Sequence, residues 1–194
     1  MELFKYRANF ERDLTSLQNN QLYAPTYEDL NDPFEGMLDT LQDEKFLKFF
    51  NQFGNDNFTK AYEEIKILLK KVGVYSLSKD LKNEILWSLY ANGHEGFVIG
   101  YDEEKLLKDF NFNKTVPLVH QIKVKYDEKP SALLQIKDIP YNGFNLSNAI
   151  GIKSNSWRHE NEVRLIFEQN GLNEYNYSAI SRIIFGMRTT SENI

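Results

Sequence analysis

The stretch that decides the fold class is ENEVRLIFE, residues 160–168. Apolar and polar residues alternate along it, which predicts a β-strand. Because successive side chains of a strand point to opposite faces, Val163, Leu165 and Phe167 share one face, and we expect that face to enter the core. The charged residues of the same stretch then occupy the other face. We therefore expect a sheet with an apolar face and a charged face at the centre of the protein.

Further strands and helices lie on both sides of this segment. Alternation and compact apolar runs predict strands over 3–7, 21–24, 72–78, 96–101, 116–126 and 182–187. Caps and apolar stripes predict helices over 9–20, 43–53, 57–71, 84–91, 102–110 and 146–153. The pattern indicates a single α+β domain over residues 1–194, with a mixed, mostly antiparallel central sheet and helices inserted between the early strands. We expect Phe4 in the core and Trp157 to be largely buried.

The composition excludes several classes of function. The 194 residues carry 23 Lys and Arg against 28 Asp and Glu, a net charge of −5, which argues against general nucleic-acid binding. The sequence has no cysteine, which excludes disulfides, thiolate zinc sites and a cysteine nucleophile. The three histidines, His94, His120 and His159, are widely spaced, so no metal site is expected from them. The N-terminus does not resemble a signal peptide, and no apolar run approaches the roughly 20 residues that span a bilayer, so we expect a cytoplasmic protein with no membrane contact.

The charged face of the 160–168 strand is the first candidate site. Glu160 and Glu162 are expected about 7 Å apart on that face, with Arg164 beside them. Two carboxylates next to an arginine suit a site that handles cationic charge or hydroxyl groups. The alternative is a ladder of ion pairs on a solvated sheet face, which contributes little to stability.

Two other strands end in polar residues that suit a cleft. Ser76 and Ser78 share one face at the end of the 72–78 strand, where their hydroxyls either reach a cleft rim or form a turn that ends the strand. Arg7 ends the first strand, where a guanidinium can clamp a phosphate or carboxylate bidentately. Its alternative role is an ion pair with Glu11 or Asp13.

Several motifs occur in a recognisable order along the chain. They are KYR at 5–7, NDPFE at 31–35, WSLYANGHEG at 87–96, and K-x-x-x-W-x-x-E-x-E-x-R from Lys153 to Arg164. From about residue 3 to residue 187 the chain resembles the bacterial domain-of-unknown-function 2971 family. That resemblance implies no activity.

A more distant resemblance concerns the order Arg, S-x-S, E-x-E. It is similar to the order of key residues in the arginine–serine–glutamate class of ADP-ribosyltransferases. The resemblance implies that Arg7 holds NAD and that Ser76, the first serine of the S-x-S pair, orients the site, with Ser78 as a further cofactor-binding candidate. The E-x-E pair supplies the catalytic carboxylates, which are Glu162 and Glu160, and Arg164 on the same strand is a further cofactor-binding candidate. The implied partners are a small-molecule nucleotide and a protein acceptor.

Two other classes of function remain open. A non-enzymatic module is one, because aromatic residues form 14% of the chain and the NDPFE and WSLY segments suit a pocket for a peptide or small anion. A metal-dependent hydrolase is the other, with oxygen ligands from Glu160, Glu162, Asp32 and Glu35. For the NAD site we expect Arg7, Ser76 and both glutamates to converge on one cleft. We also expect Arg7 and Glu162 to share a face of the sheet, and a position on opposite faces would argue against this site.

Overall fold

The computed structural model describes residues 1–32, 57–112, 118–128 and 150–193, together with residues 44, 45, 48 and 52. The α-helices described are α1 (Phe10–Gln18), α2 (Asn57–Leu69), α3 (Glu84–Tyr90) and α4 (Glu103–Phe112). The strands described are β1 (Glu2–Arg7), β2 (Gln21–Ala24), β3 (Gly73–Ser78), β4 (Phe97–Asp102), β5 (Leu118–Lys123), β6 (Lys125–Asp127), β7 (Ile152–Ser154), β8 (Glu162–Phe167), β9 (Gly171–Glu174) and β10 (Ile180–Phe185). No helix among these residues is long and apolar enough to cross a membrane.

A six-stranded sheet in the order β10-β4-β1-β3-β8-β5 forms the centre of the fold. Every neighbouring pair in it is antiparallel. Helices separate the early strands of this sheet along the chain. The predicted α+β fold with a mostly antiparallel central sheet is therefore confirmed. Two small sheets accompany it, an antiparallel pair of β2 with β9 and a parallel pair of β6 with β7.

The main core lies on the face that β8 shares with β3. Tyr75 lies opposite Leu165 and Leu77 opposite Val163, so these side chains point to one side of the sheet. Helices α1 and α4 cover this side, and Phe110 of α4 packs edge-on against Phe167 with ring centroids 4.9 Å apart. The predicted core positions Val163, Leu165 and Phe167 are all buried.

A second, smaller core lies on the opposite face, under α3. Asn83 begins that helix by accepting hydrogen bonds from the backbone N–H groups of Ile85 and Leu86. Trp87 of α3 packs edge-on against Tyr6, with ring centroids 5.4 Å apart. Phe4 is buried in this cluster, as predicted for a core residue.

The central sheet opens between β1 and β3. Strand β1 pairs with β4 at all six of its positions, and β3 pairs with β8 at all six of its own. Between β1 and β3 the paired positions are Phe4 and Ser78 alone. Past that pair the edge of β3 meets the loop after β2, where the Val74 N–H donates to the carbonyl of Pro25 at 2.8 Å. The two halves of the sheet thus part along most of this seam.

Several predicted boundaries are wrong near the charged segment. Glu160 is not in a strand, because residues Asn155–Glu160 form a 3₁₀-helix and β8 begins at Glu162. Asn161, with φ of 45°, separates the two elements in a left-handed conformation that asparagine tolerates better than most residues. Trp157, predicted to be largely buried, is intermediate in exposure, with most of its surface covered and part of it accessible to solvent.

Other differences concern short strands. Residues Ile152–Ser154 form β7 where a helix over 146–153 was predicted, and the first four positions of that prediction lie outside the described residues. Strand β9 was not predicted, because its four residues show no marked alternation. Most of the helix predicted over 43–53 falls outside the described residues, as do Pro33, Phe34 and Glu35 of the NDPFE motif.

Candidate functional site

A cleft of about 500 Å³ lies where β1 and β3 part. Its walls come from both halves of the sheet, from α1 and α3, and from the loop after β2. The charged and hydroxyl side chains that line it include Lys5, Arg7, Asp13, Ser76, Ser78, Tyr90, Lys153, Glu160 and Glu162. The structure thus brings five of the six sequence-predicted residues to a single cleft, although they span most of the chain: Arg7, Ser76, Ser78, Glu160 and Glu162.

These residues reach the cleft from opposite faces of the sheet. Ser78 lies opposite Glu162 in the β3–β8 ladder, so both point to the α3 side. Arg7 lies opposite Phe97 in the β1–β4 ladder and points to the main core. The expectation that Arg7 and Glu162 share a face is therefore wrong. The opening between β1 and β3 joins the two sides, and this is why one cleft contacts both residues.

Glu162 is buried and surrounded by hydrogen-bond donors. Its oxygens accept bonds from Arg164 Nε at 2.8 Å and Nη2 at 3.1 Å, a bidentate pair, and from Lys153 Nζ at 3.3 Å. The Ser76 hydroxyl also donates to it. Burial opposes ionisation, but the charges of Arg164 and Lys153 outweigh it and hold the pKa of Glu162 at about 2. Glu162 is therefore a fixed negative charge in the wall of the cleft.

Glu160 reaches the same place from the end of the 3₁₀-helix. Its carboxylate accepts from Lys153 Nζ at 2.6 Å and from the Tyr90 hydroxyl at 2.5 Å. Lys153 therefore bridges the two glutamates, and its ammonium also lies 5.0 Å from the centre of the Trp157 ring. This charged face is buried, unlike the solvated ladder of the alternative interpretation.

The far side of the cleft is cationic. Arg7 Nη2 donates to the Tyr75 hydroxyl at 3.1 Å, and Nη1 lies 3.8 Å from the buried carboxylate of Asp13. Within the described chain, the buried Nε of Arg7 has no hydrogen-bond partner. The predicted pairing of Arg7 with Asp13 is present, and it leaves part of the guanidinium unused.

Lys5 lies beside Arg7 on the same strand. Its ammonium donates to the backbone carbonyl of Ser76 at 2.8 Å and lies 4.7 Å from the centre of the Tyr75 ring. Burial, reinforced by the charge of Arg7, lowers the pKa of Lys5 to about 7. An amine in such a setting exchanges protons near neutral pH.

Two predicted site residues have structural roles. Arg164 is fully buried and lies behind Glu162, where its Nη1 also donates to the carbonyl of Ile150 at 2.7 Å. It does not line the cleft, and its contacts hold the Glu162 carboxylate in place. The Ser78 hydroxyl donates to the backbone carbonyl of Glu160 at 2.7 Å and accepts from the Asp80 N–H at 3.0 Å, which is the turn-forming role.

Sequence reasoning missed three residues of the site. Lys153 and Tyr90 stand inside the quoted motifs, but nothing in their local pattern indicates that both contact Glu160. Lys5 alternates with Arg7 on β1, and that spacing was the available signal that the two share a face.

The metal-site alternative meets a specific obstacle here. Among the described residues, no group of three or more His, Asp and Glu side chains is placed to hold a metal ion. The Lys153 ammonium fills the position between Glu160 and Glu162 that a cation would take. Asp32 is buried and accepts a hydrogen bond from the Ser154 N–H at 3.0 Å, while Glu35 lies outside the described residues.

One protein family is similar to part of the chain. Residues 86–165 match the model of a family described as "Protein of unknown function (DUF2971)". That stretch includes Tyr90, Lys153 and both glutamates of the cleft, whereas Arg7 and Ser76 precede it. No curated protein and no solved structure matches the chain.

Proposed function

We propose that the cleft binds NAD and that this protein is an ADP-ribosyltransferase-like domain. The observation that carries the proposal is that one cleft, at the opening between β1 and β3, contacts both a positive and a negative side chain. Arg7 and the ionised Glu162 both line the cleft, which they reach from opposite faces of the sheet. A dinucleotide has the matching pair of features, an anionic diphosphate and a ribose that becomes positive when its glycosidic bond breaks. Because NAD is an intracellular molecule, the proposal places the protein in the cytoplasm.

Each side of the cleft has a separate task in this proposal. Arg7 binds the diphosphate through donors that its contacts with Tyr75 and Asp13 leave unused. Glu162 faces the nicotinamide ribose. As the bond from the ribose anomeric carbon to nicotinamide breaks, the electron pair leaves with nicotinamide and positive charge develops on the ribose. A carboxylate already ionised and held in place stabilises that charge without rearranging.

The remaining contacts support this geometry. Arg164 and Lys153 fix the carboxylate of Glu162, and the Ser76 hydroxyl holds it from the cleft side. The acceptor that attacks the ribose anomeric carbon is a nucleophilic side chain of a protein or a water molecule, and its proton passes to solvent as the new bond forms. A volume of about 500 Å³ lies in the usual range of cofactor pockets, roughly 300–1,000 Å³.

One observation favours a second candidate, a non-enzymatic module that binds anionic small molecules. The carboxylates of Glu160 and Glu162 already accept bonds from Lys153, Arg164 and Tyr90. In this alternative the carboxylates only complete a structural network, and Arg7 performs the binding. The two candidates are distinguished by catalysis, because only the ADP-ribosyltransferase-like domain converts NAD.

The test is to incubate the protein with NAD and to measure nicotinamide release by chromatography and NAD binding by calorimetry. We expect the wild-type protein to bind NAD and to release nicotinamide. Glu162→Gln should still bind NAD but lose turnover by about 100- to 1,000-fold, since an isosteric amide keeps the shape and removes the charge. Binding without release by the wild-type protein would favour the non-enzymatic module, and absence of binding at millimolar NAD would reject the NAD site.

Glu95→Gln is the matched control. Glu95 is an exposed glutamate that pairs with Arg188 at 3.5 Å, and it does not line the cleft. It should leave both binding and release unchanged. Because Glu162 is a buried, paired charge, circular dichroism in the near ultraviolet must show that Glu162→Gln is folded at the assay temperature.

A further inference from the structure

Beside Arg7 the cleft contains a second cation, Lys5, which has no role in the proposed NAD site. Lys5 lies between Arg7 and the Ser76 segment of β3, at the point where the sheet opens. Its ammonium donates to a main-chain carbonyl and lies over the ring of Tyr75. A neutral carbonyl is a weaker acceptor for an ammonium than a phosphate oxygen is. The amine can therefore gain by exchanging this partner for an anion in the cleft.

We propose that Lys5 is the phosphate anchor of the cleft and that it takes up a proton when a diphosphate-bearing ligand binds. The inference rests on the proposed function in that both place a nucleotide in this cleft, but it concerns the diphosphate alone. Lys5 and Arg7 share one face of β1, so together they present two cationic side chains to one ligand group. Binding of an uncharged nucleoside gains nothing from either.

The proton balance follows from the groups that face Lys5. Arg7 on β1 disfavours its charge, while Asp13 of α1, Glu160 of the 3₁₀-helix and Glu162 of β8 favour it. Burial outweighs those carboxylates, so in the free protein a large fraction of Lys5 is neutral at pH 7.5. A bound diphosphate adds negative charge and stabilises the ammonium. Binding above pH 7 therefore draws up to one proton from solution onto the Lys5 amine, and affinity should fall as the pH rises.

The test is calorimetric titration with ADP at pH 7.5 in two buffers of different ionisation enthalpy. For the wild-type protein we expect uptake of a fraction of a proton. Affinity for ADP should decrease by up to about tenfold per pH unit above pH 7. Lys5→Met should weaken ADP binding by about tenfold or more through loss of a charge-assisted hydrogen bond. Adenosine, which has no phosphate, should bind equally weakly to both proteins.

Lys5→Arg distinguishes the effect of a positive charge at residue 5 from the effect of proton uptake there. Arginine stays ionised at every pH of the experiment, so this variant should bind ADP with near wild-type affinity and without proton uptake by residue 5. Any proton taken up by ADP itself is the same for both proteins. It therefore cancels when the proton uptake of Lys5→Arg is subtracted from that of the wild type. Lys82→Met is the control for loss of a lysine, because Lys82 is exposed and does not line the cleft.

Failure of this inference and failure of the proposed function give different results. Proton-linked, Lys5-dependent binding of ADP with no nicotinamide release from NAD supports the anchor and rejects the enzyme. The opposite result is turnover of NAD together with either of two binding results: equal proton uptake in wild type and Lys5→Arg, or unchanged ADP affinity in Lys5→Met. It would reject Lys5 as the phosphate anchor and support the enzyme.

Discussion

At the scale of single residues, Glu162 shows how a buried charge can both stabilise a fold and serve a reaction. Removing a carboxylate from water is costly, and a bidentate arginine with a second cation offsets the cost only when the geometry is good. Arg164 and Lys153 meet that condition at 2.8 to 3.3 Å. The result is a carboxylate that stays ionised inside the protein, where its field is least screened by solvent.

Acid should unfold this protein partly through Glu162. Its pKa is lowered from 4.5 to about 2 on folding. Stability due to this group is therefore fully present above pH 4.5 and is lost as the pH falls towards 2, for a total of about 3 kcal/mol. Urea denaturation at pH 7, 4 and 3 should show the free energy of unfolding of the wild-type protein decreasing across that interval.

The same measurement on Glu162→Gln should give a lower free energy of unfolding at pH 7 and a shallower decrease below pH 4.5. Exposed Glu95→Gln is the reference, and it should follow the wild-type curve. Equal slopes for wild type and Glu162→Gln would mean that other carboxylates account for the acid sensitivity.

Residue patterns predicted the acidic residues of the site but not the residues that hold them in place. The spacing of Glu160, Glu162 and Ser76 indicated a polar face, and all three line the cleft. The residues that make this face possible, Lys153 above all, come from another strand and have no local signature. A strand with a charged face was expected to contact solvent, whereas all six residues of β8 are buried because Lys153 and Arg164 compensate the carboxylates.

At the scale of elements, the apolar face of β8 is a main support of the fold. Phe167 is fully buried, lies opposite Gly73 of β3, and packs edge-on against Phe110 of α4. Phe167→Ala should therefore lower the free energy of unfolding by about 3–5 kcal/mol, the usual cost of a cavity in place of a buried ring. The midpoint of chemical denaturation measures the change.

Leu172→Ala is the control for that experiment. Leu172 is an apolar residue of β9 that remains 54% exposed. Its loss should change the free energy of unfolding by no more than about 0.5 kcal/mol. A denaturation midpoint that Phe167→Ala leaves unchanged would contradict the assignment of this face to the core.

The strands that the sequence predicted well are those with clear alternation or a compact apolar run, such as β1, β3 and β4. Strand β9 forms because it pairs with β2, and its own sequence has no clear strand pattern. For such a short segment, tertiary pairing decides whether a strand forms. The break between Glu160 and Glu162 depends on one residue in a left-handed conformation, Asn161. Alternation rules assume a continuous strand and so do not register such a break.

At the scale of the whole molecule, strand order decides the site. The central position of β1, between β4 and β3, is what brings Arg7 towards β8. No local pattern specifies that order, because each strand would bury its apolar face equally well beside another neighbour. The separation of β1 from β3 beyond the pair Phe4 and Ser78 is a property of the assembled sheet. Face assignment from sequence alone therefore predicted the wrong relation between Arg7 and Glu162.

If the opening between β1 and β3 is the binding site, filling it should abolish binding without unfolding the protein. Ser76 lies in the wall of the cleft, partly exposed, and its side chain contacts Glu162. Ser76→Phe places a ring in the cleft and loses the hydrogen bond to the Glu162 carboxylate, at a cost of about 1.5–3 kcal/mol. Ser76→Ala loses the same bond but leaves the space open, which makes it the matched control.

Thermal melts with and without NAD measure the difference. A ligand at 100 times its dissociation constant stabilises the folded state by about 2.7 kcal/mol. In a protein of this size that raises the melting temperature by about 5 to 10 °C. Wild type and Ser76→Ala should show this rise, and Ser76→Phe should show none while melting close to Ser76→Ala in the absence of NAD. An equal rise in Ser76→Phe would place the NAD site away from the seam, because a ring at position 76 and a dinucleotide compete for the same volume between the two halves of the sheet.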